Sequence, residues 1–330
     1  MENRIKDIGE QGLLKILQQF CPPEIIGDDA AILNAPRGES LVVTTDVLIE
    51  GVHFSERTTS PEDVGWRATA ANLSDLAAMG AKPLGITVGL ALPPDTSVDW
   101  VIRLYQGITD CLKQYQTVIV GGDICRSPVI SVSITALGSV LPNRIISRFG
   151  AKVGDAILIT GYHGLSRAGL ELLLEPEKGQ NLDLNSKNLL IHAHKRPIPR
   201  LDILETLWNL NPSSVAGMDS SDGLADAVIQ ICRCSQVGAK IDRNALPLHP
   251  ALSEFVLDEQ ALLWALYGGE DFELVLCLPY PKAEALVQQI ENAAIIGQIT
   301  EEKEVKLIDS QNRYPERLLN LAEGYQHFSK

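Results

Sequence analysis

The sequence predicts a mixed α/β fold divided into two domains. Its 330 residues exceed the usual size of one domain. Short apolar runs rich in β-branched residues alternate with helical patterns in both halves, and this alternation is typical of α/β layers. The alternation is interrupted at Leu141-Pro142-Asn143, so we expect an N-terminal domain over 1–143 and a C-terminal domain over 144–330.

In the first half, the clearest element is a helix that begins after Ser60 and ends at Gly80. Ser60 is a suitable N-cap, Pro61 fits the first helical position, and two acids occupy the first turn. Apolar periodicity predicts the other elements of this half. They are a helix over 10–20, strands over 41–48 and 84–92, a helix over 97–114, and strands over 118–123 and 129–140.

The second half repeats short strands and helices, which indicates a second α/β layer. Strands are predicted over 156–160, 215–219, 238–242 and 272–278, and helices over 165–174, 186–194, 199–210, 224–234 and 258–266. Ser220 or Ser221 is expected to cap the helix over 224–234. The terminal stretch Gly324-Tyr325-Gln326-His327-Phe328 carries three rings, so we expect it to be docked.

Several apolar runs lead onto an acid, and one of them is Val118-Ile119-Val120-Gly121-Gly122-Asp123. We expect Asp123 to lie at a strand end, because paired glycines permit a sharp turn or a close approach. The same pattern recurs at 25–29, 42–46 and 215–223. Asp and Gly are ordinary turn residues, so one such run carries little weight. Four together predict that the carboxylates meet in one place.

Two residues outside these runs are also candidates. Asp75 is the only acid between Val64 and Pro94, and an unpaired buried carboxylate costs several kcal/mol. A metal ligand is favoured over an exposed helix position or a salt bridge with Arg67. His53 follows Asp46 by seven residues; a lone histidine is more often a surface or core residue, and the nearby carboxylate is what makes it a candidate.

The net charge of −14 excludes a typical nucleic-acid binder, which needs a basic face. An acidic surface also repels a phosphate ester, so something cationic must stand between such a ligand and the carboxylates, and a divalent metal ion is the obvious candidate. Arg144 and Arg148 follow the predicted boundary. They are either solvated linker charges or partners for phosphate oxygens.

The six cysteines are scattered, with no Cys-x-x-Cys pair, as is typical of reduced cytosolic thiols. The first residues contain no apolar signal core, and no stretch approaches 18 uncharged apolar residues. We therefore expect a cytoplasmic protein with no membrane partner.

Neither the Gly-x-x-x-x-Gly-Lys-Ser/Thr loop nor a Gly-x-Gly-x-x-Gly turn after a strand is present, and there is no nucleophile elbow. What remains is a set of carboxylates: Asp29, Asp46, Asp75, Asp123, Asp219 and Asp222. Mg²⁺ takes about six oxygen ligands and is usually held by carboxylates together with substrate phosphates. Several Mg²⁺ ions could support phosphoryl transfer where a Walker lysine is missing.

The order and spacing of the motifs resemble the thiamine-monophosphate kinase family across essentially the whole chain. The motifs are Gly27-Asp28-Asp29, Thr45-Asp46, Gly51-Val52-His53-Phe54, Asn72-Leu73-Ser74-Asp75-Leu76-Ala77-Ala78-Met79-Gly80, Gly121-Gly122-Asp123, Asp219-Ser220-Ser221-Asp222-Gly223-Leu224 and Gly268-Gly269-Glu270-Asp271-Phe272-Glu273-Leu274. The superfamily includes aminoimidazole ribonucleotide synthetase, selenophosphate synthetase and the hydrogenase-maturation dehydratase. The resemblance implies a two-domain α/β fold whose first domain dimerises through its sheet.

The resemblance further implies ATP-dependent phosphorylation of thiamine monophosphate to thiamine diphosphate by direct in-line transfer. Several Mg²⁺ ions would be held by Asp29, Thr44, Thr45, Asp46, Asp75, Asp123, Asp219 and Asp222. ATP would contact Tyr105, Gly122, Asp123, Arg148 and Ser221. Thiamine monophosphate would contact His53, Glu270 and Tyr325, and the catalytic carboxylates would be Asp46, Asp123 and Asp222.

Three alternatives stay open at this point. Selenophosphate synthetase carries a reactive cysteine in a glycine-rich N-terminal segment, whereas Cys21 precedes Pro22-Pro23. The maturation dehydratase ends in a cysteine, whereas this sequence ends in Lys330. A non-catalytic Mg²⁺-nucleotide sensor is the third, although it would not need residues for a second substrate.

Ser220 departs from the apolar residue expected there, and Thr44 would ligate through either its backbone or its hydroxyl.

Overall fold

A computed structural model describes residues 4–23, 25, 31 and 33–325. The chain divides into two compact units. The first unit comprises Met1–Leu76 and Ala81–Asn143, and the second comprises Ala77–Gly80 and Arg144–Lys330. The division after Asn143 follows the loss of alternation in the sequence.

The first unit is built on a four-stranded sheet with the strand order β1-β4-β2-β3. β4 is antiparallel to β1 and β2, whereas β2 and β3 are parallel. The elements are α1 (Ile5–Leu17), a 3₁₀ turn (Gln18–Phe20), β1 (Ser40–Ile49), α2 (Pro61–Ala78), β2 (Lys82–Leu92), α3 (Val98–Gln114), β3 (Ile119–Arg126) and β4 (Ser131–Val140).

The helix α2 forms where its sequence signals predicted it. The Asp63 N–H donates to Ser60 Oγ over 3.3 Å, which caps the first turn. Gly80 ends the helical segment at a φ of +72°, a conformation that glycine adopts without strain. The following helix α3 is likewise capped, because the Asp99 N–H donates to Ser97 Oγ over 3.1 Å.

The prediction that Asp123 lies at a strand end is wrong. β3 continues for three residues beyond Asp123, to Arg126. The preceding glycine has a different purpose: a Cβ at Gly122 would lie 2.3 Å from the carbonyl oxygen of Val88 on β2. The glycine therefore permits a close approach of two strands within the sheet instead of a turn after it.

The helices α2 and α3 touch through their backbones. A Cβ at Gly65 would lie 2.1 Å from the Leu104 carbonyl oxygen, and a Cβ at Gly107 would lie 1.9 Å from that of Glu62. The Arg103 guanidinium donates to both Glu62 carboxylate oxygens, over 2.6 Å and 2.9 Å. Each helix thus supplies one glycine to the crossing, which leaves no room for a side chain.

One face of the first sheet carries exposed apolar side chains on β1. Leu41, Val43 and Val47 retain 59%, 61% and 42% of their accessible surface. They alternate with Val42, Thr44 and Asp46, which are less exposed, as the period of two in a strand requires. The face of β1 that carries Val42, Thr44 and Asp46 is therefore the one directed towards the helices.

The second unit is built on a seven-stranded mixed sheet with the order β11-β10-β7-β9-β5-β8-β6. Its elements are β5 (Ala156–Ile159), α4 (Leu165–Leu174), α5 (Leu184–Lys195), α6 (Leu204–Asn209), β6 (Ala216–Asp219), α7 (Leu224–Ser235), β7 (Gly238–Asp242), α8 (Pro250–Phe255), α9 (Asp258–Tyr267), β8 (Leu274–Leu278), α10 (Tyr280–Val287), β9 (Ala294–Thr300), β10 (Val305–Ile308) and β11 (Arg317–Leu318).

The second sheet is covered on both faces. Ile157 and Ile159 of β5 pack in the core that contains α7, whereas Leu158, between them, packs in the core that contains α10. Every residue of β8 is buried, as expected for a central strand between two layers of helices. The mixed α/β class predicted from the alternation is confirmed.

Several boundaries in the second unit differ from the predictions. The helix expected over 199–210 is a 3₁₀ turn (Arg200–Ile203) followed by α6, and β8 begins at Leu274 instead of residue 272. Sequence analysis did not predict α8, α10 or the strands after β8. The expected serine cap of α7 is wrong, because the N-cap is Gly223 and Ser220 Oγ donates instead to the Glu273 carbonyl oxygen over 3.1 Å.

Within the described ranges, no helix is both long and apolar enough to cross a membrane.

The backbone contact between α2 and α3 generates a stability prediction. We expect Gly65→Ala to lower the free energy of unfolding by about 1 to 3 kcal/mol, because the clashing neighbour is helix backbone and cannot rotate away. Urea unfolding monitored by circular dichroism measures the change. The matched control is Gly89→Ala in the same unit, where a Cβ meets Ser133 at no less than 3.6 Å. Equal stability of the two variants would contradict the close crossing.

Candidate functional site

In the first unit, oxygen-bearing side chains of β1 and α2 face each other. Thr44 Oγ1 donates a short hydrogen bond to Asp75 Oδ2. The Asp46 N–H donates to Asn72 Oδ1 over 3.2 Å. Asn72 and Asp75 are three residues apart and therefore share one face of the helix. The structure thus brings Thr44, Asp46 and Asp75 to the same boundary between strand and helix.

Thr45 occupies the opposite face of β1. Its Oγ1 lies 2.8 Å from Thr135 Oγ1 on the paired strand β4. Since neighbouring residues of a strand point in opposite directions, the Thr45 hydroxyl is not gathered with that of Thr44. Its predicted role in metal binding stays a prediction.

The strand register separates Asp46 from Asp123. Asp46 pairs with Ile134, Ile134 with Val88, and Val88 with Gly122, so Asp46 and Gly122 share a row. Asp123 belongs to the next row. From β1 to β3 the row crosses three strand spacings, about 14 Å. The sheet of a single chain therefore does not bring these two carboxylates within reach of one ion.

His53 lies in the turn after β1, with its ring orientation fixed by the backbone. The ring Nδ1 accepts the Ile49 N–H over 3.1 Å, and the backbone N–H of His53 donates to the Ile49 carbonyl oxygen over 2.9 Å. A neutral ring that accepts at Nδ1 carries its proton at Nε2. The ring proton of His53 is thus assigned to Nε2.

Tyr105, predicted to contact ATP, lies in α3 with only 4% of its surface exposed. Its ring centroid is 5.5 Å from that of Phe20. Burial is also the main cause that raises the pKa of Tyr105. Contact with ATP stays a prediction, and only a small edge of this residue is accessible in the described chain.

In the second unit, the segments 219–223 and 268–273 are joined by backbone hydrogen bonds. The Glu270 N–H donates to the Ser221 carbonyl oxygen over 2.7 Å, and the Ser220 N–H donates to that of Glu273 over 2.8 Å. Asp219 is the last residue of β6 and is 2% exposed, whereas Asp222 is exposed. The two Gly-acid motifs of this half are thus joined by hydrogen bonds into one structural unit.

The segment 268–273 has a constrained backbone. A Cβ at Gly269 would lie 2.6 Å from the Ser221 carbonyl oxygen, and one at Gly268 would lie 2.4 Å from that of Trp264. Glu270 and Phe272 have φ values of +68° and +54°, which are costly for residues with side chains. The surrounding bonds therefore hold Glu270 in a conformation that it would not adopt alone.

Sequence analysis assigned no role to Asp271 or Glu273, although both lie in a quoted motif. The Asp271 carboxylate accepts the N–H groups of Gly164 over 2.6 Å and Ser166 over 2.8 Å, at the start of α4. Burial raises the pKa of Asp271 to about 7, against the opposing effect of these two bonds. The Glu273 carboxylate accepts from Arg200 Nη1 over 2.8 Å. Both acids anchor the segment.

Arg148 and Asp222 both act on Asp226 in the first turn of α7. Burial is the largest cause that raises the pKa of Asp226; Asp222 raises it further, and Arg148 opposes them. The carbonyl oxygen of Arg148 accepts from Ser235 Oγ over 2.9 Å. The predicted ATP-binding arginine and the predicted catalytic carboxylate thus both act electrostatically on Asp226, with opposite effects on its pKa. Asp226 was not among the predicted site residues; its position in the turn after Asp222 was the available signal.

Tyr325, the last described residue, is 57% exposed. A Cβ at its neighbour Gly324 would lie 3.8 Å from the Asp222 carbonyl oxygen, so the chain end lies beside the segment 219–223. Residues 326–328 of the expected docked end lie outside the described residues. The same is true of Asp29 and its motif.

The donors fit Mg²⁺ in their chemistry. Thr44, Asp46 and Asp75 offer hydroxyl and carboxylate oxygens, the hard ligands that Mg²⁺ prefers. Within the part of the chain that the structure describes, no three side chains of His, Cys, Asp or Glu are gathered closely enough to hold a metal ion. The complete ligand set stays a prediction.

Two family models match the chain. The AIR synthase related protein N-terminal domain matches residues 27–140, and the corresponding C-terminal domain matches residues 152–310. A thiamine-monophosphate kinase of Synechococcus elongatus is 53% identical over 99% of both chains.

Solved structures agree with these matches. Thiamine-monophosphate kinase from Stenotrophomonas maltophilia has a TM-score of 0.78 at 35% identity, covering 85% of this chain and 89% of its own. The structure of AaThiL complexed with AMPPCP and TMP has a TM-score of 0.74 at 33% identity, covering 96% of this chain and 98% of its own. The resemblance found in the sequence is confirmed, and the chain belongs to the thiamine-monophosphate kinase family of AIR synthase related proteins.

Proposed function

We propose that this chain transfers a phosphoryl group from ATP to thiamine monophosphate, which yields thiamine diphosphate and ADP. The observation that carries the proposal is the 53% identity to a thiamine-monophosphate kinase over 99% of both chains. A structure at 33% identity is described as a complex with AMPPCP, an ATP analogue, and with TMP. Both substrates of the proposed reaction are thus represented among relatives.

The proposed reaction needs positioned phosphates and compensation of their charge more than it needs covalent chemistry. We assign Mg²⁺ binding to Asp29, Thr44, Thr45, Asp46, Asp75, Asp123, Asp219 and Asp222. When bound, Mg²⁺ would neutralise the phosphate charge that a chain of net charge −14 repels. The Thr44–Asp75 contact between β1 and α2 supports this assignment, because it already places two oxygen donors together.

ATP is assigned to Tyr105, Gly122, Asp123, Arg148 and Ser221, and the catalytic carboxylates are Asp46, Asp123 and Asp222. Arg148 supports the assignment, because its guanidinium and the Asp222 carboxylate both affect the pKa of Asp226. A guanidinium also fits phosphate oxygens. For in-line transfer the acceptor phosphate must lie opposite the leaving ADP, and carboxylates can hold this geometry only with their charge compensated.

Thiamine monophosphate is assigned to His53, Glu270 and Tyr325. His53 offers a donor at Nε2, since Nδ1 accepts from Ile49. Glu270 retains 34% of its side-chain surface and offers a carboxylate to the amino group or cation of the acceptor. The exposed Tyr325 ring offers a stacking surface for a flat heterocycle.

We assign metal, ATP and dimerisation to residues 1–143, and completion of the active site to residues 144–330. The cytoplasm is the proposed location. Dimerisation is supported by the exposed side chains of Leu41, Val43 and Val47, which form an apolar row on one face of β1. A second copy that covers the same face would form a symmetric, closed interface.

The proposed activity predicts ADP release only when thiamine monophosphate, ATP and Mg²⁺ are all present. The assay couples ADP to absorbance and identifies thiamine diphosphate by chromatography. Omission of Mg²⁺ and replacement of thiamine monophosphate by thiamine are the controls. ATP binding without ADP release would contradict the proposal and favour a nucleotide sensor.

We expect Asp75→Asn to reduce kcat about a hundredfold or more with little change in melting temperature. The asparagine oxygen still accepts from Thr44, whereas the charge that compensates the metal is lost. The control is Asp110→Asn, whose exposed carboxylate pairs with Lys113 at 3.4 Å on the surface of α3. Near-normal turnover together with a lower melting temperature would remove Asp75 from the site.

The assembly proposal predicts a mass of twice 35.9 kDa for the wild-type chain at micromolar concentration. Val43→Lys places a charge within the apolar row and should shift the measured mass towards that of one chain. Light scattering after size exclusion measures both. Leu257→Lys is the control, because Leu257 is 85% exposed in the second unit. A monomeric wild type would refute the dimer.

A further inference from the structure

A buried histidine lies beside the Glu270 carboxylate in the second unit. His194 belongs to α5, and its side chain is 2% exposed. Its Nδ1 lies 3.8 Å from Glu270 Oε2. His194 has no role in the reaction proposed above, although the histidine lies beside Glu270, which is assigned to acceptor binding.

The position of the His194 ring is fixed by the packing of α4 against α5. A Cβ at Gly169 would lie 2.0 Å from the Leu190 carbonyl oxygen and 3.0 Å from His194 Cβ, so the two helices touch at this glycine. Ser166 lies three residues before Gly169 on the same helix face. Its Oγ is 3.0 Å from His194 Nδ1, and the residue is 1% exposed.

The electrostatics of this contact favour a proton on Nδ1. A lone pair at Nδ1 would face the Glu270 carboxylate and repel it, whereas an N–H there is attracted. Ser166 Oγ then accepts that N–H, so the serine orients the ring while the carboxylate benefits from its positive edge. The imidazole thus has a defined orientation relative to Glu270.

The backbone of Glu270 is held from the same helix start. Its neighbour Asp271 accepts the Ser166 N–H over 2.8 Å, so Ser166 contacts both the segment 268–273 and His194. Glu270 itself has a φ of +68°, which its own preference does not maintain. We propose that His194, oriented by Ser166, is a positioning residue that sets the Glu270 carboxylate for the acceptor. This inference rests on the proposed function.

The test compares His194→Leu with His194→Asn, whose amide nitrogen can occupy the place of Nδ1. We expect His194→Leu to raise the KM and the calorimetric Kd for thiamine monophosphate about tenfold, while the KM for ATP changes less than about twofold. His194→Asn should recover most of this loss. His192→Leu, two residues earlier and exposed, is the matched control and should change neither constant.

A double-mutant cycle with Glu270→Gln isolates the contact. If His194 acts through Glu270, then His194→Leu adds little further weakening of acceptor binding once the carboxylate is gone. Independent, additive effects overturn the inference, and so do equal changes in the constants for ATP and the acceptor, since these indicate a general structural role. An unchanged acceptor KM in a folded His194→Leu variant overturns it as well.

If His194→Leu fails to fold, the single variants Ser166→Ala and His194→Asn are compared instead. Ser166→Ala removes the hydroxyl that orients the ring, and we expect it to weaken acceptor binding severalfold; no change overturns the inference. Failure of the proposed function has a different signature. A wild-type chain that neither binds nor phosphorylates thiamine monophosphate overturns that function before any variant is compared.

Discussion

The candidate site of the second unit depends on two backbone hydrogen bonds that join the segments 219–223 and 268–273. One runs from Glu270 to Ser221, and the other from Ser220 to Glu273. They fix two loops that carry carboxylates, although like charges favour separation. Gly269 permits this arrangement, because the two segments lie closer together than a side chain at that position would allow. The positions of the acids are therefore set by the backbone and not by attraction between side chains.

The elements that sequence analysis predicted well have local causes. The start of α2 follows from Ser60 and Pro61, whose cap and fixed φ act within one turn. The strand β8 and the helix α7 follow from apolar periodicity in the same way. The mixed α/β class could be predicted from such local patterns, because the periodicity of each segment alone indicates whether it forms a helix or a strand.

The predictions that the structure did not confirm concern positions whose conformation depends on residues distant in the sequence. Paired glycines before Asp123 have the same local meaning in a turn and in a strand, and only the approach of Val88 distinguishes the two. Ser220 has the chemistry of a helix cap, yet the Glu273 carbonyl oxygen, 53 residues away, takes its hydroxyl. The separation of Asp46 from Asp123 depends on strand order, which a linear pattern of acids does not contain.

The Asp271 carboxylate has a consequence for the order in which the second unit acquires its shape. It accepts N–H groups that are 107 and 105 residues earlier in the chain. Closing such long loops costs entropy before the contact can compensate for it, so we expect these bonds to form late in folding. An intermediate that already contains α4 and β8 as separate elements would therefore still lack the conformation of Glu270. If Glu270 contacts the acceptor as proposed, acceptor binding requires these tertiary contacts, and a partly folded chain that lacks them does not bind the acceptor.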